Sequence, residues 1–392
     1  MDKDFIDKGV EGENLVLKSL ETSYLKYWLY PNPKDLAGDK KEICDALILF
    51  FDTAIIISVK NYQCKGNYER FTKKVIEKSS KQLFGAERKF LTSNQLLIEH
   101  PTNGENLVTS KEYSNIFKIT VSVGEDFENY EFIDYDENKG TIAILNKETF
   151  QILVNELDTI KDLTDYLKAR ESLLLKNLNK KCRCREIDLL AHYLTNAREF
   201  KKELNENFEN ETNSLNGKWE SYNNDRQVFL KRLEDEKSYF IDDLIKNDVL
   251  KLSNGELLAK ELMTLSRFER RIISQNLFEI VEKYQNEDDF FARRFAIYNG
   301  VGFLFIYYPA ERNQTEIDTI LKLAQEIYAY KYNCEKVVLL ASNKGMKQWK
   351  FGLFNSTKVT KQAKEYLENL IQKFGWFTNV QVINRNIKEY PE

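Results

Sequence analysis

Two short apolar segments near the N-terminus end in residues that could carry out chemistry. Cys44–Phe50 and Ala54–Lys60 are too short for helices and rich in isoleucine and phenylalanine, so we predict two strands. A hairpin that turns at Asp52–Thr53 would place Asp45 opposite Lys60, with their Cβ atoms about 5 Å apart. Bringing two charges to the edge of an apolar sheet costs desolvation free energy, so this pair indicates a functional site.

Asp45 and Lys60 together could act on a phosphodiester bond. A carboxylate binds a hard cation such as Mg²⁺ or Mn²⁺, and the cation stabilises the charge that grows on a phosphoryl oxygen. A neighbouring lysine can help deprotonate a water molecule or stabilise the phosphorane-like state. Ser58 shares the face of Lys60, because strand side chains alternate. Since this serine stands where a second carboxylate would be useful, that acid must come from elsewhere.

Three short motifs follow one another over residues 5–95. Gly9-x-x-Gly12-Glu13 opens the first predicted helix, Asp45 begins the next strand, and Ser58-Val59-Lys60 ends the strand after it. This order resembles the PD-(D/E)XK, or restriction-endonuclease-like, nuclease superfamily, particularly its Mrr-like and NERD-like branches, over about a quarter of the chain. The resemblance implies a mixed α/β sheet with flanking helices and Mg²⁺-dependent hydrolysis of DNA.

Ser58 stands where the pattern of this superfamily has Asp or Glu. In some of its restriction enzymes a serine occupies that position and a glutamate stands in the following helix. On the helix predicted over residues 67–91, Glu69 and Glu77 could take this role, and Glu77 is preferred because it lies nearer to the sheet-facing stripe. If neither Glu13 nor such an acid reaches the metal, the resemblance implies a catalytically inactive relative.

The resemblance also implies a role for each candidate residue. Gln82 is similar to the helical glutamine of the Gln-x-x-x-Tyr type in related nucleases, although Ala86 replaces the tyrosine. Chains of this kind look like bacterial restriction or anti-phage defence effectors, which implies a homo-oligomer or a partner protein of the defence system. The implied site residues are Asp45, Glu13 and Glu77 as metal ligands, Lys60 as organiser of the attacking water, and Ser58 and Gln82 as helpers.

The helix predicted after Lys60 is rich in basic residues. Between Ser58 and Leu91, nine basic residues outnumber three acidic ones within a chain of formal net charge −4. A concentrated positive face beside a phosphodiester-cleaving site favours contact with DNA, with RNA as an alternative. A solvated helix face without a ligand is the competing interpretation. The predicted nucleic-acid contacts are Lys65, Arg70, Lys73, Lys74 and Lys78.

The length and the hydrophobic pattern predict three regions. A chain of 392 residues is too long for one ordinary core, and its 42% hydrophobic and 31% charged residues are typical of globular proteins. We predict a mixed α/β nuclease-like domain at 1–148, a helical region at 149–290 and a small α/β domain at 291–392. The last domain is predicted to end in a strand at Thr378–Asn384.

The composition narrows the possible functions. No apolar run approaches the roughly 18 residues of a membrane helix, so no membrane contact is expected. Five scattered cysteines favour reduced thiols in a cytoplasm, and two histidines give little support to a Ser-His-Asp or His-rich metal mechanism. Two rival hypotheses remain: a nuclease fold kept for nucleic-acid or protein contact without chemistry, and a structural protein in which Asp45 and Lys60 form a buried ion pair.

Overall fold

The structure confirms a mixed α/β protein, with 51% helix and 21% strand. The chain divides into two compact units, Met1–Asp225 and Arg226–Glu392. None of the described helices is both long enough and apolar enough to span a bilayer. The computed structural model describes residues 3–93, 95–109, 112–125, 127, 132–287, 291–356, 360–378, 380–383 and 386–391.

A six-stranded mixed sheet forms the centre of the first unit. Its described strands are β1 (Leu29–Pro31), β2 (Ala46–Phe50), β3 (Thr53–Lys60), β6 (Asn115–Ser122), β7 (Ile133–Asp136) and β8 (Gly140–Asn146), and a separate hairpin contains β4 (Leu96–His100) and β5 (Gly104–Val108). The strand order is β1-β2-β3-β6-β8-β7. β2 is antiparallel to both β1 and β3, whereas β6 is parallel to β3 and β8. The parallel β3–β6 pair requires a crossover connection, which the helices after β3 provide.

Helices cover both faces of this sheet near β3, which explains why β3 is apolar on both faces. The first helix, α1 (Lys3–Thr22), agrees with the predicted Asp4–Tyr24. The helix predicted over 67–91 is present but interrupted: α2 (Tyr68–Phe71) continues into a π-helical segment at Thr72–Glu77 and then into α3 (Lys78–Thr92). α3 packs on the face that carries the even-numbered side chains of β3. The apolar cluster there includes Ala54, Ile56, Leu83, Ala86 and Phe90.

The stretch of sequence between β8 and the strands of the second unit is almost wholly helical, as predicted. The helices of the first unit that follow β8 are α4 (Lys147–Glu156), α5 (Ile160–Leu175), α6 (Glu186–Thr195), α7 (Lys202–Glu206), α8 (Phe208–Ser214) and α9 (Lys218–Asn223). Those that open the second unit are α10 (Arg226–Asp235), α11 (Tyr239–Asn247), α12 (Gly255–Met263) and α13 (Arg267–Tyr284). The compact units thus divide this helical stretch at residue 225, whereas the predicted regions place it in one block at 149–290.

The second unit contains a four-stranded sheet of order β12-β11-β10-β9. Its elements are β9 (Ala292–Tyr298), β10 (Val301–Tyr307), α14 (Gln314–Tyr332), β11 (Lys336–Ser342), β12 (Trp349–Asn355) and α15 (Lys361–Lys373). β9 and β10 form an antiparallel hairpin and β11 is parallel to β10, so β9-β10-α14-β11 repeats the arrangement β2-β3-α3-β6 of the first unit. The predicted strand at Thr378–Asn384 was wrong: residues 380–383 are irregular, and residues 379 and 384 lie outside the described residues.

Candidate active site

The β2–β3 hairpin has a register two residues away from the predicted one. It turns at Phe51–Asp52 instead of Asp52–Thr53, and Phe51 adopts the positive φ, 46°, that a tight two-residue turn requires. The predicted pairing of Asp45 with Lys60 was therefore wrong, because this register places Ser58 opposite Asp45. A shift of two residues leaves every side chain on its face. Asp45 and Lys60 consequently become diagonal neighbours on the same face.

Asp45 precedes β2 and is the centre of a buried polar network, with 5% of the residue exposed. Its Oδ2 accepts hydrogen bonds from the Val59 amide and, at 3.2 Å, from Ser58 Oγ. Gln82 of α3 donates from Nε2 to Asp45 Oδ1 at 3.5 Å. The Nζ of Lys60 lies 3.9 Å from Oδ2. The two charges predicted to form a site therefore meet at one edge of the sheet, with Ser58 between them.

Lys60 ends β3 and is 6% exposed. Its ammonium donates to Ser58 Oγ at 2.6 Å, to Gln82 Oε1 at 2.9 Å and to the Val59 carbonyl at 3.0 Å. These acceptors engage all three ammonium protons and fix the side chain in one position. Burial lowers the pKa of Lys60 below its ordinary value, although the Asp45 charge opposes this effect. A lysine with a lowered pKa is better able to accept a proton from water at neutral pH.

Two further carboxylates surround Asp45. Glu13 of α1 is half-buried, and burial, followed by repulsion from Asp45, raises the pKa of its carboxyl. Glu42 is exposed at the surface. Desolvation, followed by repulsion from the Asp45 charge, raises the pKa of Glu42 to about 7. The charge of Glu13 contributes to the same shift. The sequence analysis named Glu13 but missed Glu42. The only sequence feature that could have indicated Glu42 is that it is an acid three positions before Asp45.

The acids predicted on the helix after β3 lie away from this network. Glu77 is the last residue of the π-helical segment and is exposed. Glu69 is also exposed and binds Lys73 at 2.9 Å. A π turn contains more residues than an α turn, so it changes the direction in which later side chains point. Gln82, predicted as a helper, does reach the site, where it joins Lys60 to Asp45.

Gly12 allows α1 to approach the end of β3 closely. A Cβ atom at residue 12 would lie 3.1 Å from the Asn61 Cβ and 3.5 Å from Val59 Cγ1. At Gly9, by contrast, a Cβ would meet nothing within 4 Å. The close approach at Gly12 places the following residue, Glu13, beside Asp45 and Lys60. Only the second glycine of the Gly9-x-x-Gly12 motif is therefore required by packing.

Gly12→Val is expected to lower the free energy of unfolding by about 1–3 kcal/mol, because the branched side chain overpacks the contact between α1 and β3. Gly9→Val is the matched control, and since open space surrounds that position its expected change is within about 0.5 kcal/mol. Urea denaturation of both variants measures the difference. Equal effects of the two substitutions would contradict the close approach at Gly12.

The predicted nucleic-acid contacts are on the surface. Lys65, Arg70, Lys73, Lys74 and Lys78 are all exposed. Lys73 is engaged by Glu69, whereas the Lys78 ammonium donates to the Tyr62 hydroxyl and lies 5.1 Å from the centre of its ring. Lys78 is also close enough to Lys60 to lower its pKa further. A positive surface thus begins at the edge of the buried network.

The oxygens around Asp45 are of the kind that a hard divalent cation prefers. Within the described residues, no three Asp, Glu, His or Cys side chains form a group that could hold a metal ion. Mg²⁺ does not require three, since it is commonly held by one or two carboxylates and completed by water and substrate phosphate. Comparison with protein-family models, curated proteins and solved structures found no match to this chain. Its function must therefore be inferred from the site itself.

Proposed function

We propose that this protein is a Mg²⁺-dependent endonuclease that cleaves DNA. The observation that carries the proposal is the buried network in which Asp45, Ser58, Lys60 and Gln82 meet at one edge of the first sheet. The order of the elements supports it, because an antiparallel hairpin, a crossover helix and a parallel strand are what a restriction-endonuclease-like core would contain. Asp45 directly precedes β2 and Lys60 ends β3, as the motif requires.

Each residue of the network has a distinct role in this proposal. Asp45, with Glu42 or Glu13, would hold Mg²⁺ or Mn²⁺, which supplies stabilisation of the negative charge on the phosphoryl oxygens when bound. In its neutral form Lys60 would accept a proton from the attacking water, and as an ammonium it would stabilise the negative charge at phosphorus. Its hydrogen bond to Gln82 keeps Nζ in place. The hydrogen bonds that join Asp45, Ser58, Lys60 and Gln82 do not include Glu77, so Glu77 is given no part.

Metal binding can be tested independently of cleavage. Without metal, the raised pKa of Glu42 means that the folded state binds a proton at this carboxyl more tightly than the unfolded state does. The free energy of unfolding should therefore fall as the pH rises from about 4.5 to about 7. A cation competes with that proton, so MgCl₂ should raise the melting temperature more at about pH 8 than at about pH 6.

The matched variants are Glu42→Gln and Glu77→Gln. Glu42→Gln should remove most of the pH dependence of the Mg²⁺-induced stabilisation, whereas Glu77→Gln should leave it unchanged. Differential scanning fluorimetry with Mg²⁺, Mn²⁺ and Ca²⁺ measures the effect. Wild-type protein whose melting temperature does not respond to any of these ions at either pH would contradict a metal site here.

Cleavage itself is tested on nucleic acids of defined structure. The purified full chain is incubated with supercoiled plasmid, linear duplex DNA, single-stranded DNA and RNA of the same sequence, each with Mg²⁺, with Mn²⁺ and with EDTA. Metal-dependent nicking or linearisation of the plasmid is expected. Degradation of RNA while DNA stays intact would instead indicate a ribonuclease.

The resemblance suggests a restriction or anti-phage defence effector. Expression of the protein in bacteria that are then challenged with phage tests this proposed setting.

A nucleic-acid-binding module without catalysis is the second candidate. Ser58 in place of an acid and the complete engagement of the Lys60 protons favour it, because such a network is stable without metal or substrate. A binding module would retain DNA in a salt-dependent manner without cutting it. A purely structural protein would show no salt-sensitive retention.

The basic surface beside the network should control this retention. Replacing Lys65 and Lys74 with alanine is expected to reduce the slope of log affinity against log salt concentration by roughly 2, one for each lost phosphate contact. A mobility-shift titration over a range of salt concentrations measures the slope. The matched control replaces Lys202 and Lys260, which pair with surface glutamates, and should leave the slope unchanged. If the wild type and both double variants gave the same slope, the nucleic acid would have to bind elsewhere on the protein.

A further inference from the structure

Two cysteines share the connection between α5 and α6. Cys182 and Cys184 lie in the segment 176–185, which contains no helix or strand. Their Sγ atoms are 3.7 Å apart and within hydrogen-bond distance. Cys182 is half-buried, and Cys184 is 6% exposed. The remaining cysteines are buried and distant in sequence: Cys44, Cys64 and Cys334.

We propose that Cys182 and Cys184 are a modification site that a peroxide converts into a reversible disulfide. This inference is independent of the proposed nuclease activity. The Cys182 thiolate attacks one oxygen of the peroxide, so that an S–O bond forms, the O–O bond breaks and hydroxide leaves. Cys184 then attacks the sulfur of the Cys182 sulfenic acid, so that the S–S bond forms, the S–O bond breaks and water leaves with the thiol proton. Two thiols lose two electrons, and one hydrogen peroxide is reduced to two waters.

The environment of the two thiols assigns these roles. A hydrogen bond from Cys184 lowers the pKa of the Cys182 thiol, and the partial exposure of Cys182 gives the peroxide access. The same hydrogen bond, together with burial, raises the pKa of Cys184, so that this thiol remains protonated until its partner is oxidised. Cys182 is therefore the attacking residue and Cys184 the resolving residue.

Residues of α8 and of the turn that follows it hold the segment in place. The Arg183 amide donates to Thr212 Oγ1 at 3.0 Å, and Asn216 donates to the Arg183 carbonyl at 3.1 Å. The Lys181 amide donates to Glu209 Oε1, also at 3.0 Å. Because both peptide groups of Arg183 are anchored, the thiols on either side of it stay adjacent. Closing their separation from 3.7 Å to a bond of about 2.05 Å then depends mainly on side-chain rotation.

The test uses the full chain, reduced, freed of reductant and treated with equimolar hydrogen peroxide. Intact-mass spectrometry is expected to show a loss of about 2 Da, corresponding to two hydrogen atoms, which dithiothreitol reverses. Non-reducing tryptic digestion locates the bond, since cleavage after Arg183 separates the cysteines and only a disulfide keeps the two peptides joined. Cys184→Ser should instead trap a dimedone-reactive sulfenic acid on Cys182. Cys64→Ser is the matched control and should oxidise as the wild type does.

Two outcomes would overturn the proposal. One is wild-type protein that gains oxygen atoms without losing hydrogen, and the other is a loss of about 2 Da that persists in Cys182→Ser. Circular dichroism of each variant checks that it is folded. If a serine variant fails to fold, the joined or separated tryptic peptides of the wild type still decide the question.

Discussion

Lys60→Ala is expected to reduce the rate of Mg²⁺-dependent DNA cleavage by about 10³-fold, the effect of removing one preorganised group that stabilises charge or moves a proton in the transition state. The Nζ of Lys60 lies 3.9 Å from Asp45 Oδ2 and the residue is 6% exposed, so its charge acts from within the buried network. Single-turnover cleavage of plasmid at saturating Mg²⁺ measures the rate of the chemical step. DNA retention in a mobility-shift assay should change little, because the buried ammonium is not part of the positive surface.

The matched control is Lys260→Ala, a lysine-to-alanine change at a half-buried residue that pairs with exposed Glu256. It should cleave at the wild-type rate. Circular dichroism and urea denaturation must show that Lys60→Ala is folded, since the substitution also removes three hydrogen bonds. Cleavage that persists unchanged in a folded Lys60→Ala protein would eliminate the mechanism and leave the binding module as the better explanation.

The strands of the site could be predicted because their sequence pattern is unambiguous. Runs such as Ala54–Lys60 are too short and too rich in β-branched residues for helices, and they end in a charge. The hairpin register was less predictable, since Asp52 is a favourable turn residue at either position of the turn and Phe51 is an unfavourable one. The predicted face of each side chain was nevertheless correct, because the register was shifted by an even number of residues.

The positions of Glu42 and Glu77 relative to the site could not be predicted from local periodicity. Glu42 lies in the irregular segment before β2, where the alternation of side chains in a strand does not apply, so sequence spacing carries no information about its approach to Asp45. Glu77 was favoured on the assumption of uninterrupted α-helical spacing, which the π-helical segment Thr72–Glu77 breaks. Where each of these two residues lies relative to Asp45 depends on tertiary packing around the site.

The second unit shows that the arrangement of strands and helices alone does not make this site. Its β9–β10 hairpin also has a two-residue turn, followed by a crossover helix and a parallel strand. Counted from the turn, Arg293 and Tyr308 occupy the positions of Asp45 and Lys60. An arginine and a tyrosine offer no ligand for a hard cation. The chemistry proposed for the first unit therefore depends on its side chains and not on the shared topology.

Asp242→Ala is expected to lower the free energy of unfolding of the second unit by about 3–5 kcal/mol, because it leaves buried cations without their anion. Asp242 of α11 is fully buried and binds two arginines of α13: Arg267 at 2.5 Å and Arg270 through its other carboxylate oxygen. The sequence predicts helices over 149–290 but not this buried cluster, since arginine is rarely buried. Hydrogen exchange measured by mass spectrometry reports the loss of protection in α11 and α13.

Asp318→Ala is the matched control in the same unit. Asp318 pairs with Lys350 at 2.6 Å but is more than half exposed, so its loss should cost less than about 1 kcal/mol. A triple variant with Asp242→Leu, Arg267→Met and Arg270→Met should recover much of the stability lost in Asp242→Ala, because it removes the unpaired charges together with the pair. If the triple variant is as unstable as the single one, the packing of these side chains and not their charge holds α11 against α13.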